Sequence, residues 1–149
     1  MKETKKTNSG KNYDSVQLGK LDGIKDYTLR FSPDVVIPGK VFVGQLLGTT
    51  GAELSFQSFA PGQDSGFLHA HKNHEELYFI LKGEGVYQVD GELFPVSEGS
   101  VVRVSPEGKR AMKNTGKDEL LMLCVQYKGN SFDAQDLTDG VILDEPPHW

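Results

Sequence analysis

The sequence predicts an all-β fold, a sandwich or barrel of short strands. Between Val41 and Tyr127 the apolar residues recur with a period of two or in short unbroken runs, as strands require. Gly or Pro interrupts these runs about every ten residues, which is the spacing typical of sandwiches and barrels. The dipeptide Asp90-Gly91 suits a type I′ turn and separates two β-rich arms, so we expect a hairpin there.

Four segments follow from these patterns along the chain. Residues 1–12 are polar and contain four lysines, so we expect a flexible tail. Residues 13–40 are broken by Gly and Pro and form an N-terminal arm that packs on the barrel. Residues 41–128 form the barrel, and residues 129–149 form an acidic extension with a short helical turn between Ser131 and Leu137. The eight predicted strands are Val41–Leu47, Glu53–Phe59, Phe67–His71, Glu75–Leu81, Gly85–Val89, Glu92–Val96, Ser100–Val104 and Glu119–Tyr127.

The run Leu120–Val125 is apolar on both faces of its predicted strand. One face can line a core, and the other must then meet a second sheet or a second subunit. Together with the arm before Val41, this surplus of apolar surface predicts a homodimer. Cys124 lies within the run, and we interpret it as a small buried core residue rather than a nucleophile.

Length, composition and charge exclude several classes of protein. The 149 residues suit one domain, and 37% hydrophobic residues with 17 glycines are those of an ordinary globular chain. A single cysteine cannot form an internal disulfide, which favours a reducing compartment. No signal peptide or membrane-spanning run is visible, so we expect a cytoplasmic protein with no membrane partner. The net charge of −5 argues against nucleic acid, because positive charge clusters only in the short tail of residues 1–12, which we interpret as a solvated leader.

Three of the four histidines lie between His69 and His74. Residues i and i+2 of a strand point to the same face, so His69 and His71 would present two imidazoles side by side. Glu76 follows near the start of the next predicted strand and would bring a carboxylate to the same place. Two His and one carboxylate form the ligand set of non-haem Fe(II), and they also suit Mn, Ni, Co or Zn. The alternative interpretation is a solvated loop that is rich in His.

The histidine segment and its surroundings resemble the cupin family. Gly62, His69-x-His71, Glu76 and Gly83 are similar to the first cupin motif, Gly-x5-His-x-His-x3–4-Glu-x6-Gly, although Gly62 lies one position too early. The segment from Gly99 to Gly108 resembles the start of the second motif, Gly-x5-Pro-x-Gly.

This resemblance covers Val41 to Tyr127 and implies a double-stranded β-helix, the jelly-roll barrel of cupins. It also implies a metal site built from His69, His71 and Glu76.

The second motif departs from the family at one metal ligand. Cupins usually place a further His four residues before the Asn of this motif, and counting back from Asn114 gives Arg110. Counting forward from Pro106 gives Ala111 instead. Neither residue binds a metal, because a guanidinium stays protonated and a methyl group has no lone pair.

Two arrangements of Arg110 are open. In the first, a metal binds His69, His71 and Glu76, and Arg110 points to the cavity mouth, where it pairs with an anionic ligand. In the second, Arg110 enters the vacant ligand position, bonds to Glu76 and replaces the charge of the metal with its own.

Two more side chains are candidates for ligand binding beside Arg110. Tyr78 shares the strand face of Glu76 and should line the cavity. His74 lies in the predicted turn and is a candidate replacement for the missing imidazole.

The resemblance implies a divalent transition metal, Fe, Mn, Ni or Zn, and a small organic, anionic substrate. Cupins of this kind include dioxygenases, isomerases and decarboxylases, and no catalytic residue is assigned here. The alternative is a non-catalytic cupin that binds a sugar or small acid and whose metal site is degenerate or empty.

Overall fold

The computed structural model describes residues 2–149, which form two antiparallel sheets around one interior. The strands are β1 (Lys6–Gly10), β2 (Tyr13–Val16), β3 (Thr28–Arg30), β4 (Val36–Pro38), β5 (Lys40–Phe42), β6 (Ala52–Phe59), β7 (His74–Lys82), β8 (Glu84–Val89), β9 (Glu92–Ser97), β10 (Val101–Val104), β11 (Arg110–Asn114) and β12 (Leu120–Lys128). The helices are α1 (Gly44–Leu47) and two 3₁₀ helices at Leu21–Asp26 and Asp136–Thr138. The predicted all-β class is confirmed.

The interior lies between a five-stranded sheet and a three-stranded sheet. The strand orders are β10-β7-β12-β6-β5 and β11-β8-β9, and the hairpins β1–β2 and β3–β4 form two small sheets of their own. The buried residues of the interior come from both large sheets: Phe59, Tyr78, Ile80, Tyr87, Val96, Val104, Met112, Leu120, Met122 and Cys124.

The hairpin predicted at Asp90-Gly91 joins β8 to β9. Val89 pairs with Glu92, so the loop has two residues. Their φ angles are 51° and 91°, and a type I′ turn requires positive φ at both positions. Asn, Asp and Gly adopt such angles at low cost, which is why this dipeptide predicts the turn.

The N-terminal arm of the same chain covers one end of the outer face of β12. Leu121 packs in a second buried cluster with Leu18, Ile24, Tyr27 and Val41. At this end, the face that the sequence analysis assigned to a second sheet or subunit has a partner within the chain, whereas Leu123 and Val125 are half-buried. The homodimer stays a prediction, and Leu121 no longer argues for it.

The predicted strand Val41–Leu47 is wrong as a continuous strand. Its first two residues belong to β5, and its last four, Gly44–Leu47, form α1. Val43 and Leu47 lie four residues apart and both pack in the second cluster, which is the spacing of a helix face. Gly48 adopts a φ of 70° and ends the helix.

The predicted strand Phe67–His71 is also wrong. This segment makes a single bridge, between His69 and Arg110 of β11. The strand β11 itself was not predicted, because two of its three buried positions hold the polar residues Arg110 and Asn114. A search for alternating apolar residues cannot find such a strand.

The two ends of the described chain are largely exposed. Where the sequence predicts a flexible tail, Lys6–Gly10 pairs with Tyr13–Val16 as a hairpin. The predicted C-terminal helical turn is present as the 3₁₀ helix Asp136–Thr138, and Ser131 does not cap it. The segment boundaries stay predictions. None of the helices within residues 2–149 is long and apolar enough to cross a membrane.

Candidate metal centre and ligand cavity

Glu76 lies in the middle of the five-stranded sheet with its side chain turned inward. It pairs with Val104 of β10 on one side and with Gln126 of β12 on the other. Because side chains alternate along β7, Glu76, Tyr78 and Ile80 share the inner face. The residue is 6% exposed, so its carboxylate lies within the barrel rather than on its surface.

The two histidines reach this carboxylate from an extended segment that crosses the barrel. The backbone amide of His69 donates to Arg110 O at 3.3 Å, and that of His71 donates to Pro106 O at 2.8 Å. The imidazole rings then lie side by side with centroids 5.4 Å apart. The predicted pairing of the rings is present, although the segment is held by two contacts rather than by a full strand.

His69, His71 and Glu76 form one cluster of donor atoms. One atom of each residue lies within 4.8 Å of the others. Nε2 of His69 is 3.5 Å from Oε2 of Glu76, and Nε2 of His71 is 3.2 Å from Oε1. Each imidazole therefore faces a different oxygen of the same carboxylate.

Arg110 lies beside Glu76, which is the second of the two predicted arrangements. Its Nε is 3.1 Å from Oε2 of Glu76, and the residue is 0% exposed. Nη1 donates to Gly108 O at 2.7 Å and to Pro106 O at 3.2 Å. The start of β11 and the loop before it thus fix the guanidinium against the carboxylate.

Four buried nitrogen atoms of this site make no hydrogen bond of good geometry among the described residues: Nδ1 of His69, Nε2 of His71, and Nε and Nη2 of Arg110. Nε2 of His71 and Nε of Arg110 still contact the Glu76 carboxylate, at 3.2 and 3.1 Å. Nδ1 of His69 and Nη2 of Arg110 are therefore the two without a close partner, and because buried polar atoms are almost always paired, they point to a missing ligand. A metal would satisfy an imidazole lone pair, and an anion would satisfy the guanidinium.

Glu76 is ionised at neutral pH. Burial raises its pKa, but the contact with His69, the hydrogen bond from the Tyr78 hydroxyl, and the charges of Arg110 and of His71 when protonated outweigh burial and bring the pKa to about 2. Burial lowers the pKa of His71, and the Glu76 charge opposes this only in part, which favours the neutral ring at pH 7. These are the protonation states that metal ligands need.

We expect Glu76→Gln to lower the free energy of unfolding by about 3 kcal/mol at pH 7, because it leaves the buried Arg110 charge without a counter-charge. The loss should shrink as the pH falls from 4.5 to about 2. The wild-type carboxylate has a depressed pKa, so its contribution is present above 4.5 and disappears as it takes up its proton. Urea unfolding of chelator-treated protein at pH 7 and pH 3 measures both effects.

Glu75→Gln is the matched control for this prediction. Glu75 pairs with Arg103 at 3.0 Å on the outside of the barrel. Surface ion pairs contribute about 0–1 kcal/mol, so its loss should be small at both pH values. An equal loss for the two variants would contradict the assigned role of Glu76.

Tyr78 and Cys124 also contact the carboxylate. The Tyr78 hydroxyl donates to Oε2 of Glu76, and the thiol of Cys124 donates to Oε1 at 3.5 Å. Burial raises the pKa of the Cys124 thiol well above its usual range, which keeps it protonated and weakly nucleophilic. Tyr78 lines the cavity as predicted, and Cys124 is a buried core residue as predicted.

His74 lies apart from this cluster. Its ring centroid is 6.3 Å from that of His71, and its side chain lines a separate surface depression with Gln126 and Lys128. The structure does not bring His74 to the cavity wall.

A small cavity of about 70 Å³ adjoins the cluster. Its wall contains Ile37, Lys40, Gln57, Phe59, Ser65, Phe67, His69, Glu76, Tyr78, Tyr87, Arg110, Ala111, Met112, Met122 and Cys124. Sequence reasoning missed Lys40 and Gln57 as cavity residues. The sequence signal for Lys40 was weak. Lys40 and Phe42 lie on the same face of β5, so a strand that began one residue before Val41 would have placed Lys40 on the inner face.

Comparison with known proteins identifies the family. Residues 55–126 match the family described as Cupin domain. An oxalate-binding protein from Thermotoga maritima is 33% identical over 92 residues, which cover 58% of this chain and 75% of that protein. A glucose-6-phosphate isomerase from Pyrococcus horikoshii is 30% identical over 106 residues, which cover 68% of this chain and 48% of that protein. The chain thus spans three quarters of one relative and about half of the other.

A solved structure agrees with these relatives. The cupin protein from Bacteroides fragilis superposes with a TM-score of 0.66 at 33% identity, covering 77% of this chain and 94% of that one. The predicted double-stranded β-helix and the resemblance of the histidine segment to the first cupin motif are both confirmed. The chain belongs to the cupin superfamily.

Proposed function

We propose that this cupin binds a divalent transition metal through His69, His71 and Glu76 and a small organic acid beside it. The observation that carries the proposal is the cluster of three donor atoms within 4.8 Å, beside buried nitrogens that lack partners. Two His and one carboxylate leave open positions for a ligand. When bound, iron would supply oxygen activation, and Mn, Ni or Zn would supply Lewis-acid chemistry such as isomerisation or decarboxylation.

The protonation states of the donors support a metal. Glu76 is a carboxylate, and burial lowers the pKa of His71, whose Nε2 lies 3.2 Å from Oε1 of Glu76. An ionised carboxylate and a neutral imidazole are the forms in which these residues bind a metal. The opposing feature is Arg110, whose charge lies 3.1 Å from Glu76 and weakens the attraction for a cation.

Arg110 supports the small acid. Its Nη2 is buried and makes no hydrogen bond within residues 2–149, whereas Nε faces Oε2 of Glu76 at 3.1 Å. A carboxylate oxygen would form a charge-assisted hydrogen bond with Nη2. A bound acid would use this donor while Nη1 stays on the two backbone carbonyls.

The size of the cavity restricts the acid. The cavity is small, about 70 Å³, and two cationic side chains, Lys40 and Arg110, line it. A short organic acid suits such a wall, because its carboxylate can pair with these charges. The relationship to an oxalate-binding protein also supports a small acid as the ligand.

The ion pair between Arg110 and Glu76 supports a second candidate function. In that case the guanidinium replaces the metal, and the protein is a non-catalytic cupin that binds a small acid or sugar. The ion pair distance of 3.1 Å and the complete burial of Arg110 are the observations in its favour.

Titration of small carboxylic acids into metal-free and Mn²⁺-loaded protein separates the two candidates. If the metal and the acid share the site, we expect one acid per chain and tighter binding in the loaded protein, because the metal adds positive charge to the cavity. Equal binding with and without Mn²⁺ would favour the metal-free candidate. No binding of any acid in either state would contradict the first candidate and would leave a sugar as the only ligand open to the second.

Two broader expectations remain proposals. A cytoplasmic location is supported by the single free cysteine. A homodimer is supported by apolar residues of the β3–β4 hairpin that are exposed in one chain, Phe31, Val35 and Val36.

A further inference from the structure

Lys40, the first residue of β5, is a lysine that faces the barrel interior. It pairs with Gln57 of β6, and Gln57 pairs with Met122 of β12. Directly opposite residues of antiparallel strands share one face of the sheet, so these three side chains form a row. All three line the ligand cavity, whereas the neighbouring pair of Val41 and Phe56 packs in the outer cluster.

The backbone fixes Lys40 in this position. Gly39 has a φ of 70°, and a Cβ atom on it would come within 2.6 Å of Ser58 O. Its carbonyl accepts a hydrogen bond from the Ser58 amide at 2.8 Å. Only glycine allows so close an approach at this angle, so β5 begins at a fixed place on the sheet and Lys40 points inward.

Lys40 has no close counter-charge in the described part of the chain. Its amino group makes no ion pair there and lies 5.3 Å from the centroid of the Phe42 ring. Glu76, in the same cavity wall, is the carboxylate that attracts it. Gln57 is 7% exposed, and its side chain lines the same cavity. A partly buried ammonium without a close partner is costly unless a ligand completes it.

Lys40 and Arg110 face one cavity from different sheets. Lys40 is at the edge of the five-stranded sheet, and Arg110 is in the three-stranded sheet. Glu76 is the one acidic residue in the cavity wall, and it faces two cationic side chains, Lys40 and Arg110. A bound divalent metal would add to this positive charge.

We propose that Lys40, assisted by Gln57, binds the second carboxylate of a short dicarboxylic acid whose first carboxylate lies at Arg110. The cavity then selects dicarboxylates over monocarboxylates of the same length. This inference rests on the proposed function, because it requires that the cavity binds an organic acid. It adds the residue that sets the preference and the chemical class that is preferred.

Calorimetric titration of the purified protein with oxalate and with glycolate tests the preference. Both acids have two carbons, and oxalate alone carries a second carboxylate. We expect wild type to bind oxalate about ten-fold more tightly than glycolate, since one additional charge-assisted contact is formed. Lys40→Met keeps the apolar stem of the side chain and should reduce the ratio to about three-fold or less, with glycolate affinity nearly unchanged.

Two controls accompany the variant. Lys117→Met removes an exposed lysine outside the cavity wall and should leave both affinities unchanged. In wild type, oxalate should slow the acetylation of Lys40 relative to Lys117, as followed by mass spectrometry, and glycolate should not. This second measurement needs no variant and therefore does not depend on how Lys40→Met folds.

The outcomes separate the two proposals. If wild type binds neither acid, the proposed function fails and this inference fails with it. If wild type binds both acids equally, or if Lys40→Met keeps the preference for oxalate, the acid site stands and the role of Lys40 is overturned. Equal protection of Lys40 by both acids would also overturn it.

Discussion

Arg110→His should raise the affinity for a divalent metal about ten-fold or more and at the same time weaken the binding of a small acid. The change adds an imidazole at the position where cupins usually have one. It also removes a positive charge that lies 3.1 Å from Glu76. The acid loses the Nη2 donor and the permanent charge of the guanidinium, which imidazole cannot reproduce.

The substitution has a cost in stability that must be measured beside it. Arg110 donates to the carbonyls of Gly108 and Pro106, and histidine would leave these acceptors without that donor. Unsatisfied buried groups cost about 1–3 kcal/mol, so the variant should unfold at lower urea concentration and still fold.

Competition with a coloured chelator measures the metal affinity, and calorimetry measures the acid. Arg103→His is the control, because Arg103 lies on β10 and pairs with Glu75 on the surface. If Arg110→His leaves both affinities unchanged, Arg110 acts on neither ligand and this description of the site is wrong.

His69→Ala and His71→Ala should each abolish metal binding while the barrel stays folded. Each variant leaves one imidazole and one carboxylate, and two protein ligands hold a divalent ion weakly against water. Both imidazoles are partly exposed at the cavity, with side-chain exposures of 37% and 23%, so their loss removes little core packing. Metal binding by calorimetry and thermal unfolding by circular dichroism measure the two effects.

His74→Ala is the matched control for these variants. Its ring is near that of His71 but lines a different depression, so metal affinity should change little. If His74→Ala is as damaging as the other two, the ligand set includes the residue at the start of β7 and our assignment is wrong.

Most strands that carry several apolar residues were predictable from the sequence, and β11 was not. β7 alternates, β12 contains an apolar run, and the β8–β9 turn has the expected residues. β11 was not predicted because the polar residues Arg110 and Asn114 occupy two of its buried positions. Their burial depends on partners that are distant in the sequence, since Asn114, for example, donates to Phe59 O at 2.8 Å.

The residues of the site could be predicted where they lie close together in the sequence and not where the fold brings distant residues together. His69, His71 and Glu76 lie within eight positions of one another, so local spacing and the resemblance to cupins were enough to select them. Lys40 was assigned to the arm because its inward direction depends on pairing with Gln57, seventeen positions away. The position of Arg110 depends on the balance between two charges in the folded barrel, which local patterns do not record.

The number of metal ions bound per chain tests the central claim most directly. Purified protein is loaded with Mn²⁺ or Zn²⁺, passed through a desalting column and measured by mass spectrometry for metal and protein together. We expect one ion per chain in wild type and none in His71→Ala. Wild-type protein that retains no metal under conditions where Arg110→His retains one would show that the guanidinium has replaced the ion, and it would contradict the metal centre proposed here.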